Sequence, residues 1–245
     1  MKTRLRITAL SKKEPAPLLG FTRLEFLASL SMIVLMVVIV LPAFGQDRAR
    51  SAWVICANNL RQVGAALHLW GNDRGDRPPW ELTTANGGTQ SHPLAGNAWF
   101  QFLWLTNDLS SPKVLACPSD TRRTAQNFGN SADLGYVHPS ARNNATSYLL
   151  SHAYNESPNV LIAADRNLGF DLPNSACNRF GTVPNVSAWS ANFRWNTNLH
   201  QNAGNVLRQD GSVEGYSNEA LREAARTRPF SDGTDDQDMH LLYPN

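Results

Sequence analysis

The sequence predicts an α+β chain: a long N-terminal α-helix, transmembrane in its first half and amphipathic in its second, packed on a small head with an antiparallel sheet. Three observations carry this expectation. Residues 26–44 contain no charged side chain. Ala49, Trp53, Cys56, Leu60, Val63, Leu67 and Trp70 then follow at spacings that alternate between four and three, the signature of a helix with one apolar face. Far downstream, an Asp210-Gly211 pair interrupts a stretch of strand-forming residues, a favoured composition for a tight antiparallel turn.

The chain of 245 residues opens on a basic segment carrying Lys2, Arg4, Arg6, Lys12 and Lys13, followed by Gly20. A helix of about 20 apolar residues, rising 1.5 Å per residue, matches the roughly 30 Å hydrocarbon layer of a bilayer. The basic side faces the cytoplasm by the positive-inside rule, which places everything after Phe44 outside. Glu25 is the exception to the apolar pattern. A carboxylate at the edge of a span is costly and marks function, and a free amine on Phe21 is a fitting partner for it.

These residues resemble a known family. GFTRLE, residues 20–25, looks like the class III signal of type IV prepilins and type II secretion pseudopilins. In those proteins a prepilin peptidase cuts after the glycine and methylates the new N-terminal phenylalanine. The resemblance implies processing between Gly20 and Phe21, and an assembly role for Glu25. It also implies a pilin-like fold, self-association into a filament, inner-membrane assembly platform proteins as partners, and a cytoplasmic ATPase as the energy source. Arg23 stands where the family usually has an apolar residue, placed to pair with Glu25 or to snorkel to the headgroups.

The domain organisation expected is a leader at residues 1–20, an assembly half-helix at 21–44, an amphipathic half-helix at 45–71 and a periplasmic head at 72–245. Pro42 and Gly45 mark an expected kink or loosened turn between the half-helices. Removing the leader takes five of 22 basic residues and one of 20 acidic ones, leaving 17 against 19 and a net charge of −2. Such a chain has no electrostatic case for nucleic-acid binding. Cys56, Cys117 and Cys177 are an odd set for an oxidising compartment. Cys56 with Cys117 is the expected disulfide, because it ties the long helix to the head and closes a loop worth roughly 4 kcal/mol on the chain-entropy account. Three buried thiols are the alternative.

Within the head, residues 99–105, 147–150 and 160–164 are apolar runs suited to short helices or strands. Residues 205–216 form the expected hairpin, and NEALREAAR at 218–226 a short capped helix. The tail passes from an acidic loop to an apolar strand.

A second resemblance covers separated points of the head. His200, nine residues and then Asp210-Gly211 resembles the His-x(9)-Asp-Gly element of a large prepilin-type group best known from Planctomycetes and Verrucomicrobia. Cys56-Ala57-Asn58-Asn59-Leu60-Arg61-Gln62-Val63-Gly64 resembles that group's C-x-N-N-L-x-Q-x-G segment, and Cys117-Pro118-Ser119-Asp120 its Cys-Pro-Ser-Asp loop. His200 and Asp210 are expected to stabilise the hairpin by a side-chain hydrogen bond rather than to perform catalysis. The chain has no G-x-S-x-G, H-E-x-x-H or phosphate loop to supply a nucleophile, metal or substrate cradle.

No cofactor is needed for such a role, with one candidate. Some major pseudopilins hold Ca²⁺ near the C-terminus, so the resemblance makes Asp232, Asp235, Asp236 and Asp238 a candidate calcium site. Their spacing is not that of an EF-hand, and a solvated acidic loop is the alternative. Arg74-Gly75-Asp76 is a tripeptide of the sort that recurs by chance. The expected function is a structural subunit of a type II secretion or type IV pilus-type filament, not an enzyme. The alternative is a membrane-anchored binding module that recognises polysaccharide or a protein partner through surface aromatics.

Overall fold

The computed structural model describes residue 20 and residues 22–152, 158–169, 176–177, 181–187, 194–227 and 238–244; for 41–48, 176–177, 181–187, 225–227 and 238–240 it describes the backbone alone. The chain divides into two units, Met1–Gln46 and Asp47–Asn245. Helix α1, Arg23–Asn72, contributes to both.

The first unit holds the apolar part of α1. Arg23–Val40 is long and apolar enough to cross a membrane, with every side chain exposed. Its 18 residues extend about 27 Å. The helix begins with a capping box: Glu25 N–H donates to Thr22 Oγ1 at 3.3 Å, while Glu25 Oε2 accepts from Thr22 N–H at 2.8 Å and from Thr22 Oγ1 at 2.9 Å. An Arg23–Glu25 pair is not formed, since residues two apart on a helix do not face one another. The helix continues through Pro42 and Gly45, where the sequence favours a kink or loosened turn.

The second unit is a mixed helix and sheet structure. Cys56, Leu60, Val63, Leu67 and Trp70 of the α1 stripe are all buried, whereas Arg61 and His68 are exposed. After the helix come 3-10 turns at Pro79–Glu81 and Thr84–Asn86, helix α2 at Ala98–Leu103, and further 3-10 turns at Pro112–Leu115 and Arg142–Ala145. Strands β1, Tyr148–Ser151, and β2, Leu161–Asp165, arise from two of the apolar runs and are buried along their whole length. The remaining elements are β3, Leu168–Gly169; β4, Ala176–Cys177; β5, Gly181–Ser187; β6, Arg194–Trp195; β7, Ala203–Arg208; β8, Val213–Ser217; α3, Asn218–Thr227; and β9, Asp238–Leu242.

Seven strands form one sheet in the order β4-β5-β9-β1-β2-β7-β8, and β3 pairs with β6 separately. Among the described residues, every pairing between these strands is antiparallel. The C-terminal strand β9 therefore inserts between β5 and β1. Buried side chains from α1, α2 and the strands share a core that includes Leu60, Val63, Phe102, Leu150, Ile162 and Leu207, while Leu149, Leu161, Val206 and Leu241 of the strands pack with Leu221 of α3 in a second cluster.

The β7–β8 hairpin closes with Gly211 N–H donating to Arg208 O at 3.0 Å, and Gly211 occupies the left-handed region at φ +81°. Asp210 Oδ1 accepts from Ser212 N–H at 2.8 Å, the local bond that makes aspartate a good turn residue. Gly211→Ala places a side chain in a conformation that L-residues avoid. It should destabilise the head by about 1 kcal/mol, read as a lower denaturation midpoint for an unchanged chain in detergent.

Candidate functional site

The segments singled out in sequence converge at one buried cluster. Cys56 of α1 and Cys117 of the Cys-Pro-Ser-Asp loop are joined by a disulfide across 61 positions, with their Cα atoms 5.3 Å apart. His200 Nε2 lies 3.5 Å from Cys117 Sγ and 3.5 Å from Asp165 Oδ2. Its other ring nitrogen, Nδ1, lies 3.5 Å from Ser119 Oγ. The Trp53 ring, one turn before Cys56, packs tilted against the imidazole at 5.2 Å between centroids. One ligand-type atom from each of Cys56, Cys117, Asp165 and His200 falls within 4.8 Å of the others, and all four residues are buried.

Backbone geometry holds these groups in place. His200 is followed by Gln201 and Asn202, both left-handed at φ 51° and 66°, and the chain enters β7 immediately afterwards. Asp165 ends β2, and its Oδ2 accepts from Asn205 N–H at 2.7 Å and Asn205 Nδ2 at 3.0 Å on the neighbouring strand β7. Asp165 Oδ1 is buried with no hydrogen-bond partner among the described residues.

Asp120, three residues after Cys117, makes a different kind of contact. Arg166 Nε donates to Oδ2 and Arg166 Nη2 to Oδ1, both at 2.6 Å, and Ser147 Oγ adds 2.8 Å to Oδ2. This fork-to-fork pair ties the loop to the end of β2. Burial opposes the charge on Asp120, but the bonds from Arg166 and Ser147, the Arg166 charge and the Arg122 N–H together hold its carboxyl below the usual range.

Asp165 behaves in the opposite way. Burial pushes its carboxyl up to about 7, and the Asp120 charge adds to this against the two Asn205 donors. Burial pushes the His200 imidazole down. At neutral pH the His200–Asp165 contact is thus a polar contact of a neutral ring, not a full ion pair.

The two ends of the nine-residue signature part in three dimensions: Asp210 serves the hairpin through Ser212 N–H, as expected, whereas His200 does not. His200 and Asp210 do not bond each other, because β7 lies between them and puts them at opposite ends of an extended strand. Six residues of strand span about 20 Å. His200 meets α1 beside Trp53 and the Cys56 disulfide, while a Cβ on Gly211 would lie 3.5 Å from His68 Nε2, also on α1. The twelve positions from Cys56 to His68 rise about 18 Å, so the spacing matches the stretch of helix that β7 crosses. Gly64 serves the same seam, since a Cβ there would stand 2.9 Å from Leu207 Cδ1. Asn59 completes it by donating to Ala116 O at 3.1 Å and Tyr148 OH at 3.2 Å.

Phe21, Asp232, Asp235 and Asp236 lie outside the described residues, and of Asp238 only the backbone, at the start of β9, is described. The Cys177 side chain is likewise outside the description. Asp165 and Arg166 were not singled out in sequence. The available signal was an Asp-Arg pair closing a wholly apolar run, where a charged residue ends a buried strand.

Comparison of the chain with models of known protein families, with curated proteins and with solved structures finds no match.

Two outcomes follow from this geometry. Cys117→Ser should cost the head roughly 4 kcal/mol on the chain-entropy account, seen as an earlier unfolding midpoint that reductant no longer moves. Asp165 has a raised folded pKa, so its contribution is fully present below about 3.8 and lost as pH rises through about 7. His200, with a depressed value, contributes above 6.5 and loses that as pH falls, so a comparison of variants is needed to separate them. Asp165→Asn should gain stability relative to the wild type between pH 5 and pH 8 by more than about 1 kcal/mol, measured by denaturant titration at both pH values.

Proposed function

We propose that this chain is a pilin-like structural subunit of a type II secretion or type IV pilus-type filament, cut by a prepilin peptidase between Gly20 and Phe21. The observation that carries the reading is helix α1. It is apolar and uncovered over Arg23–Val40, and its second part buries a stripe in the head. An uncovered apolar helix needs an apolar environment, first a bilayer and then the helices of neighbouring copies. The subunit waits in the inner membrane as a single pass, N-terminus in the cytoplasm and head in the periplasm. Assembly platform proteins then pass it into the filament. Its role is assembly and not catalysis.

Glu25 has two roles in this scheme. Its carboxylate caps the helix through Thr22, a bond that processing preserves because the Thr22 N–H remains an internal amide. The same carboxylate is the partner offered to the Phe21 amine of an adjoining copy. Glu25→Gln separates the two, since glutamine also completes a capping box but carries no charge. The variant should insert and be processed normally, with Phe21 found at the mature N-terminus by sequencing, yet fail to assemble. A mature start elsewhere overturns the processing site, and normal filaments from Glu25→Gln confine Glu25 to capping.

A further inference from the structure

We propose that the cluster of Cys56, Cys117, Asp165 and His200 is a redox-gated zinc site: a disulfide when oxidised, and a buried tetrahedral Zn²⁺ centre when the two cysteines are reduced. The reading goes beyond the filament assignment and does not rest on it.

The donor set is the first argument. Two thiolates, one imidazole and one carboxylate are ligands that tetrahedral zinc accepts, at about 2.3 Å for sulfur and about 2.0–2.2 Å for nitrogen and oxygen. Bonds of that length at tetrahedral angles put neighbouring ligand atoms roughly 3.3–3.8 Å apart. His200 Nε2 stands 3.5 Å from Cys117 Sγ and 3.5 Å from Asp165 Oδ2, and the whole set lies within 4.8 Å. Reduction lengthens the sulfur separation from a bond to a contact, which is the change the tetrahedron needs.

The surroundings are the second argument. Asp165 is fully buried, with Oδ2 anchored by Asn205 and Oδ1 without a hydrogen-bond partner among the described residues. A buried carboxylate with only one oxygen answered is costly, and a cation held at the group offsets that cost. Ser119 Oγ at 3.5 Å from His200 Nδ1 occupies the outer position that commonly orients a ligating imidazole, leaving Nε2 toward the sulfurs. A cavity of about 470 Å³, lined by Arg50, Trp53, Ser119, Leu199 and His200 among others, opens at the imidazole.

The chemistry balances as a thiol–disulfide exchange followed by ligation. A dithiol reductant attacks the Cys56–Cys117 bond, is itself oxidised to a disulfide, and leaves two thiols on the chain. Zn²⁺ then displaces two protons from those thiols, and the neutral His200 imidazole and the Asp165 carboxylate complete the coordination. Reoxidation by a disulfide of higher potential releases the ion. The bridge between α1 and the head is kept in both states, once as a covalent bond and once through the metal.

The test uses the full chain in detergent on a Cys177→Ser background, which removes the third thiol. The protein is reduced with a water-soluble phosphine, titrated with Co²⁺ as a visible probe, and then back-titrated with Zn²⁺. The expected result is one ion per chain, with the intense visible bands and thiolate charge transfer of tetrahedral Co²⁺, displaced by Zn²⁺ and absent from the oxidised protein. His200→Ala and Asp165→Asn should each weaken binding by roughly 10-fold or more. His200→Cys, which supplies another ligand, should retain it with an altered charge-transfer band. If reduction loosens the head, recovery of its near-ultraviolet dichroism on adding Zn²⁺ supports the site. Failure to recover overturns it. So does a reduced chain that binds no stoichiometric metal, or binding that is unchanged in both His200→Ala and Asp165→Asn.

Discussion

Cys56, Leu60, Val63, Leu67 and Trp70 repeat along one face of α1 and are buried in the same core as Tyr148, Leu150, Ile162 and Leu207 of the sheet. This seam sets the constraint that the other parts of the head satisfy. Gly64 keeps Leu207 close to the helix, Asn59 satisfies a carbonyl and a tyrosine hydroxyl that the seam would otherwise bury unpaired, and the disulfide fixes its upstream end. Apolar burial supplies the attraction, and the polar contacts decide the register.

The polar groups near the disulfide separate into two kinds. Asp120 is a charge fully answered by Arg166 and Ser147, and it works as a clasp between the loop and the end of β2. Asp165 is buried with one oxygen answered and one not, beside an imidazole that burial keeps neutral. Two carboxylates at the same end of the sheet thus have opposite electrostatics, because only one meets a guanidinium. The answered one stabilises; the unanswered one is chemically available.

The long motifs acquire structural meaning from this arrangement. Cys56, Asn59, Leu60 and Gly64 each make a contact at the seam, whereas Gln62 is exposed and nothing in the structure explains it. The spacing between His200 and Asp210-Gly211 corresponds to one strand laid across the helix, with the histidine meeting it at one end and the glycine at the other. From the sequence both residues are expected to serve the same hairpin; Asp210 does so through Ser212, and His200 serves the helix instead. Glu25 shows a similar effect at short range: its position suggests the Phe21 amine as a partner, and the structure adds one three residues away in Thr22.

By itself, the sequence determined the features whose causes are local. A membrane-length apolar helix, an amphipathic continuation, a hairpin at Asp210-Gly211 and a short helix after it all follow from composition and periodicity within a few turns or strands. Only the tertiary structure decided that β9 inserts between β5 and β1, and that Asp165 joins Cys56, Cys117 and His200 at one buried point. Those contacts join residues far apart in the chain, Leu150 with Leu242 in the sheet and Cys117 with His200 across 83 positions in the cluster, and depend on how the chain closes, which no local pattern of side chains encodes.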